Sequence, residues 1–195
     1  MDNCNYSSCF LYFKFNSSSD SNIYIYSYSK LAQDKMTFNL ISLGLNLKSI
    51  TAEALEAIKS SKQVYLETYT TKFPYTIKQL EKTIKKRIIP ADRELVESQQ
   101  LINQAKDQNI SLLVYGNCLS ATTHITLIKE CIKNKISYKI IHNSGIFEAI
   151  SETGLQIYKF GKTTSLPKFT TSYKPKSFLE IIKQNQSIKA HTLLL

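Results

Sequence analysis

The residues best suited to bind a ligand lie in three short turns, and each turn contains one glycine. The turns are 44–46 (Gly-Leu-Asn), 116–120 (Gly-Asn-Cys-Leu-Ser) and 143–146 (Asn-Ser-Gly-Ile). A glycine lets backbone amides and carbonyls approach a ligand closely, and polar side chains beside it can orient that ligand. Each turn alone also fits an ordinary strand-to-helix connection, so only the three turns together indicate a site.

Other kinds of site find little support in the residue pattern. The sequence has no dinucleotide-binding G-x-G-x-x-G, no P-loop, no H-E-x-x-H and no G-x-S-x-G motif. Its four cysteines, at positions 4, 9, 118 and 131, form no CxxC pair and have no zinc-ligand spacing. His124 follows two threonines at a helix start, so we predict a structural hydrogen-bonding residue rather than a base. No RRM or zinc-finger signature indicates nucleic-acid binding.

Charge and composition limit the class of protein. The net charge is +10, and it belongs to residues 36–195, because residues 1–35 carry three lysines and three aspartates. Such a charge favours an acidic partner, or it serves solubility alone. No apolar run approaches the roughly 20 residues of a membrane-spanning helix. Without a signal peptide or a disulfide framework, the cytoplasm is the expected compartment.

Residues 1–35 differ from the rest of the chain. They are rich in asparagine, serine and tyrosine, which predicts a disordered or loosely attached tail. Met36 directly precedes a strong strand pattern, and our hypothesis is that it is the true start of the protein.

From Met36 onward, strand and helix patterns alternate. This order predicts an α/β fold, with a mostly parallel five-stranded sheet flanked by helices. Strands are predicted at 38–43, 64–69, 87–89, 110–115 and 138–141, and helices at 51–59, 76–86, 93–107 and 123–134. The apolar run 110–115 should be central in the sheet. Open α/β sheets bind ligands beyond the carboxyl ends of their strands, which is where the three turns fall.

Local signals refine these elements. Pro90 should stop the third strand. Asn109, in a left-handed conformation, should end the helix predicted at 93–107. Ser177 and Glu180 form a capping-box pattern that opens a helix to about residue 186. Residues 191–195 begin an apolar strand that the chain leaves unfinished. We therefore expect an N-terminal domain at 36–155 and the incomplete start of a C-terminal α/β domain at 156–195.

Several ordered segments of residues 36–195 resemble the diphthine synthase family of tetrapyrrole-methylase-like methyltransferases. The segments are 43–45 (Leu-Gly-Leu), 64–70 (Val-Tyr-Leu-Glu-Thr-Tyr-Thr), 120–124 (Ser-Ala-Thr-Thr-His), 141–143 (Ile-His-Asn), 154–162 (Gly-Leu-Gln-Ile-Tyr-Lys-Phe-Gly-Lys) and 191–193 (His-Thr-Leu). Those at 120–124 and 154–161 are specific to this family rather than to methyltransferases in general.

The resemblance implies a reaction and a fold. It implies the N-terminal domain of the tetrapyrrole methylase fold and S-adenosyl-L-methionine as cofactor. The implied reaction is methylation of the modified histidine of translation elongation factor 2 in diphthamide biosynthesis. A homodimer is expected of the full-length protein, with no metal and no membrane or direct nucleic-acid partner. The cofactor-binding residues that the resemblance implies are Leu45, Asn117, Ser120, Gly145 and Ile146, while no catalytic residue is identified.

The sequence departs from the family at this site. Ser42 stands where the family has a glycine, Asn117-Cys118 replaces Asp-Pro, and Gly145 replaces a serine. Asn117 can keep a hydrogen bond but not a negative charge. An alternative is therefore a catalytically impaired remnant that binds the cofactor or the elongation factor, and a third is an unrelated α/β ligand-binding module.

Overall fold

Five parallel strands form one sheet in the computed structural model of the chain, which describes residues 36–167 and 169–195. The strands are β1 (Thr37–Ser42), β2 (Gln63–Glu67), β3 (Ile89–Ala91), β4 (Ile110–Val114) and β5 (Ser137–Ile141). Their order across the sheet is β3-β2-β4-β1-β5, and every pairing is parallel. The predicted α/β fold class is confirmed, and β4 is the central strand, as expected from its continuous apolar run. The tail predicted at 1–35 lies outside the described residues.

Seven helices connect and flank these strands within the described residues. They are α1 (Ala52–Ser60), α2 (Ile77–Ile84), α3 (Arg93–Glu97), α4 (Gln100–Gln104), α5 (Ile125–Lys133), α6 (Ile146–Ala149) and α7 (Ser177–Ser187). Short 3-10 turns lie at Leu47–Ser49, Ile150–Thr153 and Ile157–Lys159. The Thr51 hydroxyl accepts the Ala54 amide at 3.1 Å, which satisfies one of the free amides at the start of α1. None of the described helices is long and apolar enough to cross a membrane.

Two apolar layers cover the two faces of the sheet. Alternate residues of β1 point to opposite sides, so Phe38 and Leu40 enter one layer while Ile41 enters the other. The first layer contains apolar residues of α3, α4 and α5, and the second contains those of α1 and α2. The helices that follow β1 and β4 therefore lie on opposite faces, although the two strands are neighbours. Such a switch point is where open α/β sheets bind ligands.

Two predictions about the region before β4 are wrong. The helix expected at 93–107 is interrupted, because Ser98 has an extended backbone and its hydroxyl donates to the Leu95 carbonyl at 2.8 Å. Asn109 does not adopt a left-handed conformation. Its side-chain oxygen instead accepts the Thr37 amide at 2.8 Å, and its carbonyl accepts the Lys62 amide at 2.7 Å. These bonds join the loop before β4 to the amino ends of β1 and β2.

Pro90 does not stop the third strand but lies within β3, opposite Leu66 of β2. An edge strand pairs on one side only, so a proline there loses fewer ladder hydrogen bonds than it would in the centre of a sheet.

The C-terminal part also differs from the prediction. Ser177 is the first residue of α7 rather than its cap, so the capping box is not formed, although the helix itself is present. Residues 191–195 make two isolated parallel bridges, Phe160 with His191 and Thr164 with Leu194, rather than a continuous strand. The domain boundary near residue 156 stays a prediction.

Candidate functional site

The turns after β1 and β4 join directly through their glycines. The Gly44 amide donates to the Gly116 carbonyl at 3.1 Å, and the Gly116 amide donates back to the Gly44 carbonyl at 3.0 Å. Both residues have positive φ, +74° and +70°, which a residue with a side chain adopts only with strain. The two glycines therefore fix the carboxyl ends of the neighbouring strands to each other.

The third turn packs against the same point through Gly145. A Cβ atom on Gly116 would lie 3.6 Å from the Gly145 Cα, and one on Gly145 would lie 2.9 Å from the Cβ of Asn117. The Gly145 amide donates to the Glu148 carboxylate at 2.5 Å, which helps to start α6. We call Gly44, Gly116 and Gly145 the glycine junction. As the sequence predicts, the three turns meet at one place on the carboxyl edge of the sheet.

The five predicted site residues lie on or beside the glycine junction. Leu45 and Asn117 directly follow two of its glycines, and Gly145 is part of it. Ser120 lies three residues beyond Asn117 on the same turn, and Ile146 follows Gly145. Leu45, Asn117 and Ser120 are half-buried and Ile146 is 41% exposed, whereas Gly145 is buried.

The segment from Asn117 to Ser120 is a four-residue turn. The Ser120 amide donates to the Asn117 carbonyl at 3.3 Å, and the Leu119 amide donates to the Asn117 side-chain oxygen at 3.0 Å. Asparagine and aspartate favour the first position of such turns for this reason. The side-chain oxygen of Asn117 thus holds the turn, and only its second lone pair is left to accept a bond from a ligand.

Side chains hold the backbone of Cys118 from three directions. Its amide donates to the Ser42 hydroxyl at 3.0 Å, and its carbonyl accepts the Thr122 hydroxyl at 2.7 Å. The same carbonyl lies 3.1 Å from Nδ1 of His124. Because a carbonyl only accepts, His124 must carry its proton on Nδ1. Cys118 is fully buried and its thiol pKa is raised by burial, so the sulfur is a core atom rather than a nucleophile.

His124 has the structural role that the sequence predicts. It is 1% exposed, and burial lowers the pKa of its imidazole, against the opposing effects of the bond to Cys118 and of Glu67 and Glu97. The ring is therefore neutral near pH 7. Its Nε2 is buried and has no hydrogen-bond partner among the described residues.

Glu67 is a buried carboxylate that the sequence reasoning missed. It ends β2 and is 1% exposed. One carboxylate oxygen accepts the amides of Tyr69 and Thr70, both at 2.7 Å, and the other accepts the Thr70 hydroxyl at 2.5 Å. Glu67 thereby fixes the loop after β2 beside the turn after β4. Its signal in the sequence is a charged residue that ends an otherwise apolar strand run.

Aromatic residues form a second feature that was not predicted. The rings of Phe73, Tyr75 and Tyr115 lie with centroids 5.7 to 6.2 Å apart. The Tyr115 hydroxyl donates to the Leu45 carbonyl at 2.9 Å, which ties this cluster to the turn after β1. Burial, with a smaller effect of Tyr115, raises the pKa of Tyr75 to about 12. Tyr75 therefore stays uncharged, and the cluster supports Leu45 from one side.

Two clefts elsewhere are less suited to a cofactor. One, of about 410 Å³, lies at the amino ends of β2 and β3 beside Lys62, Arg87 and Pro90. The other, of about 350 Å³, lies between α4 and α5 beside Ile102 and Leu127. Neither is lined by a residue of the glycine junction or by any of the five predicted site residues. No cluster of potential metal ligands occurs in the part of the chain that the structure describes.

The chain is similar in sequence and in fold to known proteins of one kind. Diphthine methyl ester synthase of Schizosaccharomyces pombe is 42% identical over 161 residues, which cover 81% of this chain and 57% of the relative. The enzyme of the same name from Saccharomyces cerevisiae is 43% identical over 160 residues, covering 80% of this chain and 53% of the relative. A crystal structure of a diphthine synthase matches with a TM-score of 0.75 at 34% identity, covering 81% of this chain and 63% of that one.

The chain spans about half the length of the curated relatives it matches. The family of tetrapyrrole (corrin/porphyrin) methylases matches residues 37–194, which include all five strands and the glycine junction. On this match, the chain belongs to the tetrapyrrole (corrin/porphyrin) methylase family.

Proposed function

We propose that this chain binds S-adenosyl-L-methionine at the glycine junction and acts as a methyltransferase in diphthamide biosynthesis. The observation that carries the proposal is the meeting of Gly44, Gly116 and Gly145 at the switch point between β1 and β4. A family match and relatives named diphthine methyl ester synthase support the same reading.

The residues around the junction fit the parts of this cofactor. Leu45 and the exposed Ile146 offer apolar surface to an adenosine group. Asn117 and Ser120 offer polar groups to its hydroxyls. When bound, the cofactor supplies a methyl group on a positively charged sulfur. The protein then needs chiefly to hold the acceptor in line and to exclude water, which small polar and backbone groups can do.

For the substrate, we propose the modified histidine of translation elongation factor 2, acted on in the cytoplasm. The net charge of +10 would favour encounter with an acidic partner. We propose a homodimer as the assembly of the full-length enzyme. These proposals rest on the resemblance and on the names of the relatives.

Isothermal titration of the full chain with S-adenosylhomocysteine tests cofactor binding. We expect the wild type to bind and Gly145→Ala to bind about tenfold more weakly, because the added Cβ would overlap the Cβ of Asn117 at 2.9 Å. Gly154→Ala is the matched control. Its Cβ would meet no atom within 4 Å, although its φ of +79° makes the change costly to stability. Absence of heat with the wild type would refute the proposal.

One observation favours the alternative of a catalytically impaired remnant. The Asn117 side-chain oxygen already accepts the Leu119 amide, and the residue carries no negative charge to place near a sulfonium. Transfer of a labelled methyl group to elongation factor 2 from cells that lack this methylation separates the two. Labelled product supports the enzyme, whereas cofactor binding without transfer supports the remnant.

A further inference from the structure

The Ser42 hydroxyl is a buried polar group at the carboxyl end of β1. Ser42 is fully buried, and its oxygen accepts the Cys118 amide at 3.0 Å across 76 residues of sequence. A buried serine is retained at little cost only when its hydroxyl has partners. Ser42 thus connects the end of one strand to the turn that follows its neighbour.

The partner of Ser42 occupies a decisive position in that turn. Cys118 is the second residue of the turn from Asn117 to Ser120, a position where φ near −60° is usual in the common turn types. Proline is favoured at this position because its ring fixes φ. Cysteine has no such restraint, so a hydrogen bond to its amide must limit the backbone instead.

Ser42 also acts on the side chain of the same residue. Burial raises the pKa of the Cys118 thiol, and a side-chain hydrogen bond with Ser42 opposes that rise. The Cys118 amide is thus held by the hydroxyl of Ser42. The carbonyl of Cys118 is held separately by Thr122 and His124.

We propose that Ser42 is a positioning residue for cofactor binding, which it serves by holding Cys118 so that Asn117 and Ser120 face the ligand. The inference rests on the proposed function, because it takes the turn at 117–120 as part of the cofactor site. Ser42 itself touches no ligand in this scheme and acts through Cys118.

The chemistry of the pair predicts that replacing Ser42 by glycine is tolerated only when Cys118 is replaced by proline at the same time. Proline at 118 has no amide hydrogen, so it would leave the buried Ser42 hydroxyl without its donor. Glycine at 42 has no hydroxyl, so it would leave the Cys118 amide without its acceptor. Glycine and proline together need no hydrogen bond between these two positions.

A double-mutant cycle on the full chain tests the inference. Ser42→Gly and Cys118→Pro should each weaken the binding of S-adenosylhomocysteine about fivefold, the effect of losing one buried hydrogen bond. The double variant should bind within about twofold of the wild type, since it leaves no buried group unsatisfied. Amide exchange at Leu119 and Ser120 should rise in Ser42→Gly and return to the wild-type rate in the double variant.

Ser111→Gly is the matched control. Ser111 is also fully buried in a strand, and its hydroxyl lies 2.7 Å from that of Ser61, near the amino end of β4. This change should lower the urea midpoint without altering cofactor affinity. Equal loss of affinity in Ser111→Gly and Ser42→Gly would mean that Ser42 has a structural role only.

The remaining outcomes also decide the question. Additive losses in the double variant, with no recovery, would overturn the inference. If the wild type binds no S-adenosylhomocysteine, the proposed function fails. The positioning role is then judged on amide exchange alone, and unchanged rates at Leu119 and Ser120 in Ser42→Gly would overturn it.

Discussion

Two regions of the molecule, 36–155 and 156–195, are held together by different interactions. In the first, apolar side chains of five strands and of α1 to α5 fill a layer on each face of the sheet. In the second, Asn185 is the only buried residue among those that the structure describes, at 2% exposure. The same region exposes many large apolar side chains, including those of Ile157, Tyr158, Phe169, Tyr173 and Ile188. Burial thus organises the first region, and hydrogen bonding organises the second.

The side chain of Asn185 in α7 makes three hydrogen bonds in the second region. Its side-chain oxygen accepts the Lys162 amide at 2.9 Å, and its side-chain nitrogen donates to the Lys162 carbonyl and to the Thr192 hydroxyl, both at 2.8 Å. Gly161 lies so close that an added Cβ would be 2.6 Å from the Asn185 Cγ. One buried amide therefore links the helix to the two extended segments on either side of it in sequence.

The largest expected effect is the loss of a central apolar side chain from the first region. Leu112→Ala in β4 should lower the free energy of unfolding by about 2–5 kcal/mol, because Leu112 is fully buried and its removal leaves a cavity. Urea denaturation followed by circular dichroism measures this loss.

The matched control for that change is Leu179→Ala in the second region. Leu179 is 40% exposed, so its truncation should cost about 0.5 kcal/mol or less. Comparable losses in the two variants would show that the regions do not differ as the burial pattern indicates.

The next largest effect is expected from Asn185→Ala. The change leaves the amide and carbonyl of Lys162 without their side-chain partner and should cost about 1–3 kcal/mol. The loss should be local, with faster amide exchange at Lys162 and unchanged exchange in β4. Equal acceleration in both places would mean that the second region unfolds only together with the sheet.

A smaller effect tests the close contact between Gly161 and the Asn185 side chain. Gly161→Ala should be destabilising in the wild type, because the new methyl group overlaps the Asn185 side chain. In an Asn185→Ala background that side chain is gone, so Gly161→Ala should cost about 1 kcal/mol less. Urea midpoints of the four proteins in the cycle give the coupling. Strict additivity would show that the contact carries no strain.

The sequence predicts the apolar parts of this fold well and the polar parts poorly. The run at 110–115 identifies the central strand because burial on both faces leaves a continuous apolar signal. The glycines at 44, 116 and 145 are recognisable because each follows a predicted strand. Asn185 and Glu67 leave weaker signals, since most of their side-chain hydrogen bonds go to backbone groups that any sequence provides. Ser42 is visible as a departure from the resembled family, but its bond to Cys118 depends on two strands becoming neighbours.

The interrupted helix at 93–107 shows a related limit. Apolar spacing continues through Ser98 and Gln99, so periodicity alone predicts one helix. The break comes from the extended backbone of Ser98, whose amide donates to the Glu94 carbonyl to close α3. Serine competes with the helix by bonding its own neighbours, as its hydroxyl does here with the Leu95 carbonyl.

His124 provides the smallest and most specific test, because it is a buried ionisable group in the apolar region. Burial lowers the pKa of its imidazole in the folded state below the usual 6.5, while Cys118, Glu67 and Glu97 oppose that shift. The unfolded chain therefore binds a proton more readily, so stability is complete above pH 6.5 and declines as the pH falls towards the folded-state pKa. We expect His124→Asn, which can keep a donor for the Cys118 carbonyl, to reduce this decline between pH 7.5 and 5. Urea denaturation of both proteins across that range measures the difference, and parallel curves would show that His124 does not titrate on unfolding.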